Sequence, residues 1–179
     1  MIDTDIFVID VGFDWCLDKN YLINNLIKRH QTFNYRIDRL NFDVCDNYSK
    51  ILLKPIFDIF FNLSKQNFNL KEKTPNYKFW SFVSNKDRNV SILHDHSNTA
   101  TANGVFYLKS PKVKNSKSGG LLIKKSRSIF AKKYIFPSIE GTLIIFSGDL
   151  LHKPLPVNTE EYRTVSYTHL TLPTTYEVE

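Results

Sequence analysis

The chain has 179 residues, which suits one domain, and 42% hydrophobic with 23% charged residues excludes a disordered polyelectrolyte. No apolar run approaches the roughly 20 residues that cross a bilayer, and the formal net charge of +6 comes mostly from Lys109–Lys133, which reads as a solvated basic loop region before it reads as a nucleic-acid surface. Two cysteines, Cys16 and Cys45, make no disulfide framework, and the start Met1-Ile2-Asp3-Thr4-Asp5 has no basic signal region, so the expected compartment is the cytoplasm.

In chain order, Ile6–Val11 is β-branched and aromatic and predicts a strand. Asp18 can cap the next segment, where Leu22/Leu26 and Ile23/Ile27 recur at helical spacing up to His30. A second helical stripe runs through Ile51, Leu52, Ile56, Ile59, Phe60 and Leu63. Pro55 interrupts it and predicts either a kink or a helix that starts there. Phe33–Phe42 carries a weak extended pattern. From Asn76 onward the texture becomes short strand-like runs: Tyr77–Val83, Val90–His96, Gly104–Leu108, Gly120–Ile123, Lys133–Phe136, Thr142–Phe146 and Leu151–Pro154. Turn chemistry separates them at Ser118-Gly119-Gly120 and Ser147-Gly148-Asp149. Two helices ahead of about seven strands predict a mainly β, α+β fold, a cupin-like jelly roll with helices braced on one face.

Three features bear on chemistry. In an extended segment, residues two apart share a face, so His94 and His96 point together and Asp95 points away. Imidazoles at that spacing can converge on a metal, although a pair of histidines is often only a surface feature. His152 follows the strand and turn that end at Asp149, and Arg163 lies eleven residues beyond it. A guanidinium there can grip a carboxylate if a buried slot surrounds it. Ile144, Phe146, Val105 and Tyr107 alternate on neighbouring strands and can wall such a slot, or be core alone.

The order of these residues resembles the 2-oxoglutarate/Fe(II)-dependent oxygenases of the double-stranded β-helix type. It is similar to the family with segments H-x-H-x-N, S-G-V-Y-Y-L, F-P-x-x-L-x-H and E-R-x-S-x-S-F. Here they read His94-Asp95-His96-Ser97-Asn98, Asn103-Gly104-Val105-Phe106-Tyr107-Leu108, Phe136-Pro137 onward to Asp149-Leu150-Leu151-His152, and Glu161-Tyr162-Arg163. Trp80 and Asn85 fall where that family has its opening strand. The resemblance covers residues 75–163. It implies that His94, His96 and His152 ligate Fe(II), that Arg163 pairs with the distal carboxylate of 2-oxoglutarate, and that Tyr107 is a second contact to it. It also implies O2 consumption, succinate and CO2 release, and hydroxylation of an unidentified substrate. Abundant Asn, Lys, Ile and Phe suggest an AT-rich genome, such as environmental microbes and their viruses carry. Position 96 is His where the wider superfamily has a carboxylate, so Asp95 is a reserve ligand if a bulge turns it inward. Alternatives are a three-His cupin-type metal dioxygenase without 2-oxoglutarate and a non-enzymatic jelly-roll module.

Val165–Thr174 resembles one reading frame of the transposon end used in sequencing libraries. On that resemblance the domain spans residues 1–164, with 1–75 as support and 76–164 as core. Residues 165–179 are then a non-native tail, a last strand is missing, and His169 is not counted as a ligand.

Overall fold

A computed structural model describes residues 5–32, 39–41, 46–68, 77–87, 92–112 and 117–170. The elements are β1 (Ile6–Asp10), α1 (Lys19–Thr32), β2 (Arg39–Asn41), α2 (Asn47–Asn67), β3 (Tyr77–Ser84), β4 (Ala102–Lys109), β5 (Leu121–Lys124), β6 (Lys133–Phe136), β7 (Thr142–Ser147), β8 (Leu151–Pro154) and β9 (Arg163–Leu170).

The helices begin where short acidic side chains satisfy the first free amides. Asp18 Oδ1 accepts from Tyr21 N at 2.9 Å at the head of α1, and Asp46 Oδ1 accepts from Ser49 N at 2.9 Å at the head of α2. That second cap starts α2 well before Pro55, so the helix runs through the proline and does not begin at it. Leu22, Ile23 and Leu26 of α1 and Leu52, Leu53, Ile56, Phe57 and Phe60 of α2 pack on one face of a sheet through Phe79, Val83, Phe106, Leu108, Leu143 and Ile145. Gly104 permits the closest approach: a Cβ there would lie 2.5 Å from Phe60 Cδ2. The bare backbone lets the Phe60 ring lie directly on β4.

The strands form a six-stranded sheet in the order β1-β7-β4-β9-β3-β2 and a three-stranded sheet in the order β6-β5-β8, with antiparallel pairing throughout. The second core lies between the two sheets. There Trp80, Val105, Tyr107, Ile144, Phe146, Val165 and Tyr167 face Leu121 and Ile123. This is the mainly β jelly roll with braced helices that the sequence predicts, and no described helix is long and apolar enough to cross a membrane.

Two strands differ from expectation. The segment expected as a strand over Val90–His96 keeps a single bridge, His94 to His152, and residues 88–91 lie outside the described ones. The stretch set aside as a tail supplies β9, which pairs with β3 on one side and β4 on the other. Its eight residues are all buried, and the boundary expected near residue 164 falls inside it. The physical basis is alternation: Val165 and Tyr167 join the inter-sheet core while Leu170 joins the helix-facing one. Residues 171–179 lie outside the described ones.

Candidate metal centre

His94 reaches the space between the sheets through its bridge to His152, with His94 N donating to His152 O at 3.1 Å and His152 N donating to His94 O at 2.8 Å. His96 N donates to Gly148 O at 2.8 Å, which fixes the second histidine against the turn after β7. The ligand atoms of His94, His96 and His152 all lie within 4.8 Å of one another. The ring centroids are separated by 4.9 Å (His94–His96), 4.4 Å (His94–His152) and 5.2 Å (His96–His152).

Two of the rings are oriented by backbone carbonyls. His94 Nδ1 lies 2.8 Å from Ile92 O and His152 Nδ1 lies 3.1 Å from Leu150 O. A carbonyl only accepts, so each Nδ1 carries a proton and each Nε2 is the nitrogen left to face a metal. Burial pushes the His152 pKa down to about 3, against which the Leu150 carbonyl works only in part. The ring is therefore neutral, and protons do not compete for it near neutral pH. Three convergent imidazoles suit Fe(II), Ni(II) or Zn(II).

Asp95 is not in the cluster. Its carboxylate accepts from Ser97 Oγ at 2.8 Å and Ser97 N at 3.3 Å, and those bonds hold its pKa below the usual carboxylate value. The local turn keeps it off the inner face, so the arrangement as it stands has three imidazoles and no carboxylate.

Arg163 opens β9 and is 2% exposed. Its Nη1 donates to Gly119 O at 2.8 Å and to Leu155 O at 3.4 Å, while Nε has no partner among the described residues. No described carboxylate pairs with it. A buried cation without a counter-ion is costly, so the slot suits an anionic guest. Tyr107 is 1% exposed. Burial pushes its phenol pKa up, with Tyr167 and Arg163 the charged neighbours it feels. It stays a proton donor beside the guanidinium. Leu155 lies three residues beyond His152, just past the end of β8, so the guanidinium and the histidines flank the same short stretch of chain.

Sequence reasoning missed three neighbours. His169, set aside with the tail, places its ring 3.8 Å from that of His96 and 4.3 Å from Trp80. Gly119 has φ +71°, and a Cβ there would lie 3.3 Å from Arg163 Cδ. Asn103 faces the same space. All three depend on cross-strand register, and only the glycine leaves a local trace, in the turn Ser118-Gly119-Gly120.

No family model matches the chain, and no curated protein matches it. Solved structures do. AviO1 from Streptomyces viridochromogenes is 12% identical, with 95% of this chain and 90% of that one covered at TM-score 0.70. A prolyl-4-hydroxylase of Pseudomonas putida is 10% identical, with 93% and 92% covered at TM-score 0.67. HygX from Streptomyces hygroscopicus, solved with nickel and 2-oxoglutarate bound, is 12% identical, with 93% and 82% covered at TM-score 0.60. The fold is the double-stranded β-helix of these oxygenases. At such identities the likeness establishes the fold, and the chemistry must come from the residues.

Proposed function

We propose that the chain is an Fe(II)- and 2-oxoglutarate-dependent dioxygenase that hydroxylates a substrate of unidentified structure. The observation that carries this reading is the buried Arg163 guanidinium, which has no described carboxylate partner and donates to Leu155 O, three residues along the chain from His152 in a convergent set of three imidazoles. That arrangement suits a short dicarboxylate, held by an ion pair at one end and by a metal at the other.

In this reading His94, His96 and His152 hold Fe(II), with Ile92 O and Leu150 O fixing the ring tautomers of the first and third. Arg163 pairs with the distal carboxylate, and Tyr107 donates its phenol proton to that group. Val105, Ile144 and Phe146, each completely buried, wall the slot and exclude water. The metal and co-substrate together supply the oxidising power, with O2 consumed and succinate and CO2 released. The protein contributes orientation, a dry chamber and a fixed cation. A three-His metal dioxygenase that needs no 2-oxo acid shares the imidazole set, but it leaves the buried Arg163 without purpose.

The test is anaerobic titration of the Fe(II)-loaded protein with 2-oxoglutarate. A weak visible charge-transfer band is expected in the wild type, with succinate formed once oxygen is admitted. Neither band nor succinate in a folded protein that holds stoichiometric iron would remove the reading.

A further inference from the structure

Asn103 lies on β4 with Phe146 opposite it on β7 and His169 opposite it on β9. Each of those neighbours touches a different histidine of the cluster: the Phe146 ring is 4.8 Å from His152, and the His169 ring is 3.8 Å from His96. Directly opposed residues share a face, so the Asn103 side chain lies on the floor beneath the three imidazoles. It is 1% exposed. Its Nδ2 donates to Ser147 O at 3.4 Å, whereas Oδ1 has no partner among the described residues.

The Ser147 carbonyl decides which end of the amide is which. It can only accept, so the NH2 group faces it and the oxygen is the end left without a partner among the described residues. The floor thus offers a buried, unsatisfied acceptor beside the apolar side chains of Val105, Ile144 and Phe146. Unsatisfied buried acceptors are rare and call for a donor. A 2-oxo dicarboxylate and dioxygen present only acceptors, so neither satisfies it. Water on a cation presents two polarised O–H donors.

We propose that Asn103 is a positioning residue whose Oδ1 accepts a hydrogen bond from a water molecule on the open side of the metal centre, holding that water until an incoming ligand displaces it. This rests on reading the three histidines as a metal site. It assigns Asn103 a role that opposes co-substrate binding, since displacing the water also breaks its bond to the floor.

The test uses Mn(II) alone as the first probe. Wild type, Asn103→Leu and Asn103→Asp are loaded with Mn(II) in D2O, and the coupling of exchangeable deuterons to the metal is read by pulsed EPR. The wild type and Asn103→Asp, which keeps an acceptor oxygen, are expected to share one deuteron signature, and Asn103→Leu to lose or shift it. In a second arm, calorimetric titration with 2-oxoglutarate should show about three- to tenfold tighter binding to Mn(II)-loaded Asn103→Leu, the range one neutral hydrogen bond allows. An unchanged signature in Asn103→Leu, or weaker co-substrate binding, would overturn the proposal. Should the leucine variant fail to fold, Asn103→Ala is read the same way. A wild type that binds Mn(II) but no 2-oxoglutarate would defeat the co-substrate reading alone, and the deuteron signature would still decide the role of Asn103. A wild type that takes up no Mn(II) overturns both.

Discussion

Arg163 donates to the carbonyl of Gly119 at 2.8 Å, and the glycine in turn leaves only 3.3 Å between a hypothetical Cβ and Arg163 Cδ. The contact holds one side of the guanidinium, and Nε has no partner among the described residues. Replacing Arg163 with Met should weaken 2-oxoglutarate binding by about 100-fold or more, the scale expected when one member of a buried charge pair is removed. Metal uptake should be unchanged. The ligand-free variant should stay within about 1–2 kcal/mol of the wild type, because losing two carbonyl hydrogen bonds is offset by removing an unpaired buried charge. Calorimetry and thermal melts check both halves.

Gly119 carries the same argument on the backbone. At φ +71° an alanine is strained by about 1–2 kcal/mol, and its methyl would push on the Arg163 side chain. Gly119→Ala should therefore lower the melting temperature and weaken co-substrate binding together. Gly12, also at positive φ but with open space around it, is the control. Gly12→Ala should destabilise and leave binding alone.

Tyr107→Phe removes a single donor and keeps the ring. Because burial keeps the phenol protonated, the loss is one hydrogen bond to a carboxylate. The expected weakening of 2-oxoglutarate binding is about tenfold, with metal uptake and fold intact by circular dichroism.

The pH dependence of the metal-free protein follows from His152. Its pKa in the folded chain is pushed down to about 3 by burial, below the ordinary value of about 6.5. The unfolded chain takes up the proton first, so the folded state loses stability as pH falls from about 6.5 towards 3. At pH 4 the loss is about 3 kcal/mol by linkage. Denaturant melts at pH 7 and pH 4 should show this in the wild type, and His152→Gln should show a correspondingly smaller loss.

Much of this architecture was legible because local pattern and tertiary role agree. Leu22, Ile23 and Leu26 of the i,i+4 repeats are buried on α1 with Ile27 partly buried beside them, and the runs at Lys133–Phe136 and Thr142–Phe146 reappear as β6 and β7. The start of α2 was not, because Pro55 drew attention away from the Asp46–Ser49 cap. The three histidines were legible through spacing and family resemblance, although His94 and His96 meet through one bridge and a turn and not along a regular strand. β9 carries the same alternation, with Val165 and Tyr167 on one face and Leu170 on the other, over residues whose resemblance points outside the domain. Asn103 leaves no local trace, since an unsatisfied acceptor is visible only when the register of β4 against β7 and β9 is known.

The central claim is one metal held by three imidazoles with an anion bridging to Arg163. A crystal grown anaerobically with Mn(II) and 2-oxoglutarate, and read by its anomalous difference map, tests it most directly. A single strong peak is expected within bonding distance of His94, His96 and His152, with co-substrate density running from it to the Arg163 guanidinium. A peak held by other residues, or a co-substrate whose distal carboxylate lies away from Arg163, would contradict it.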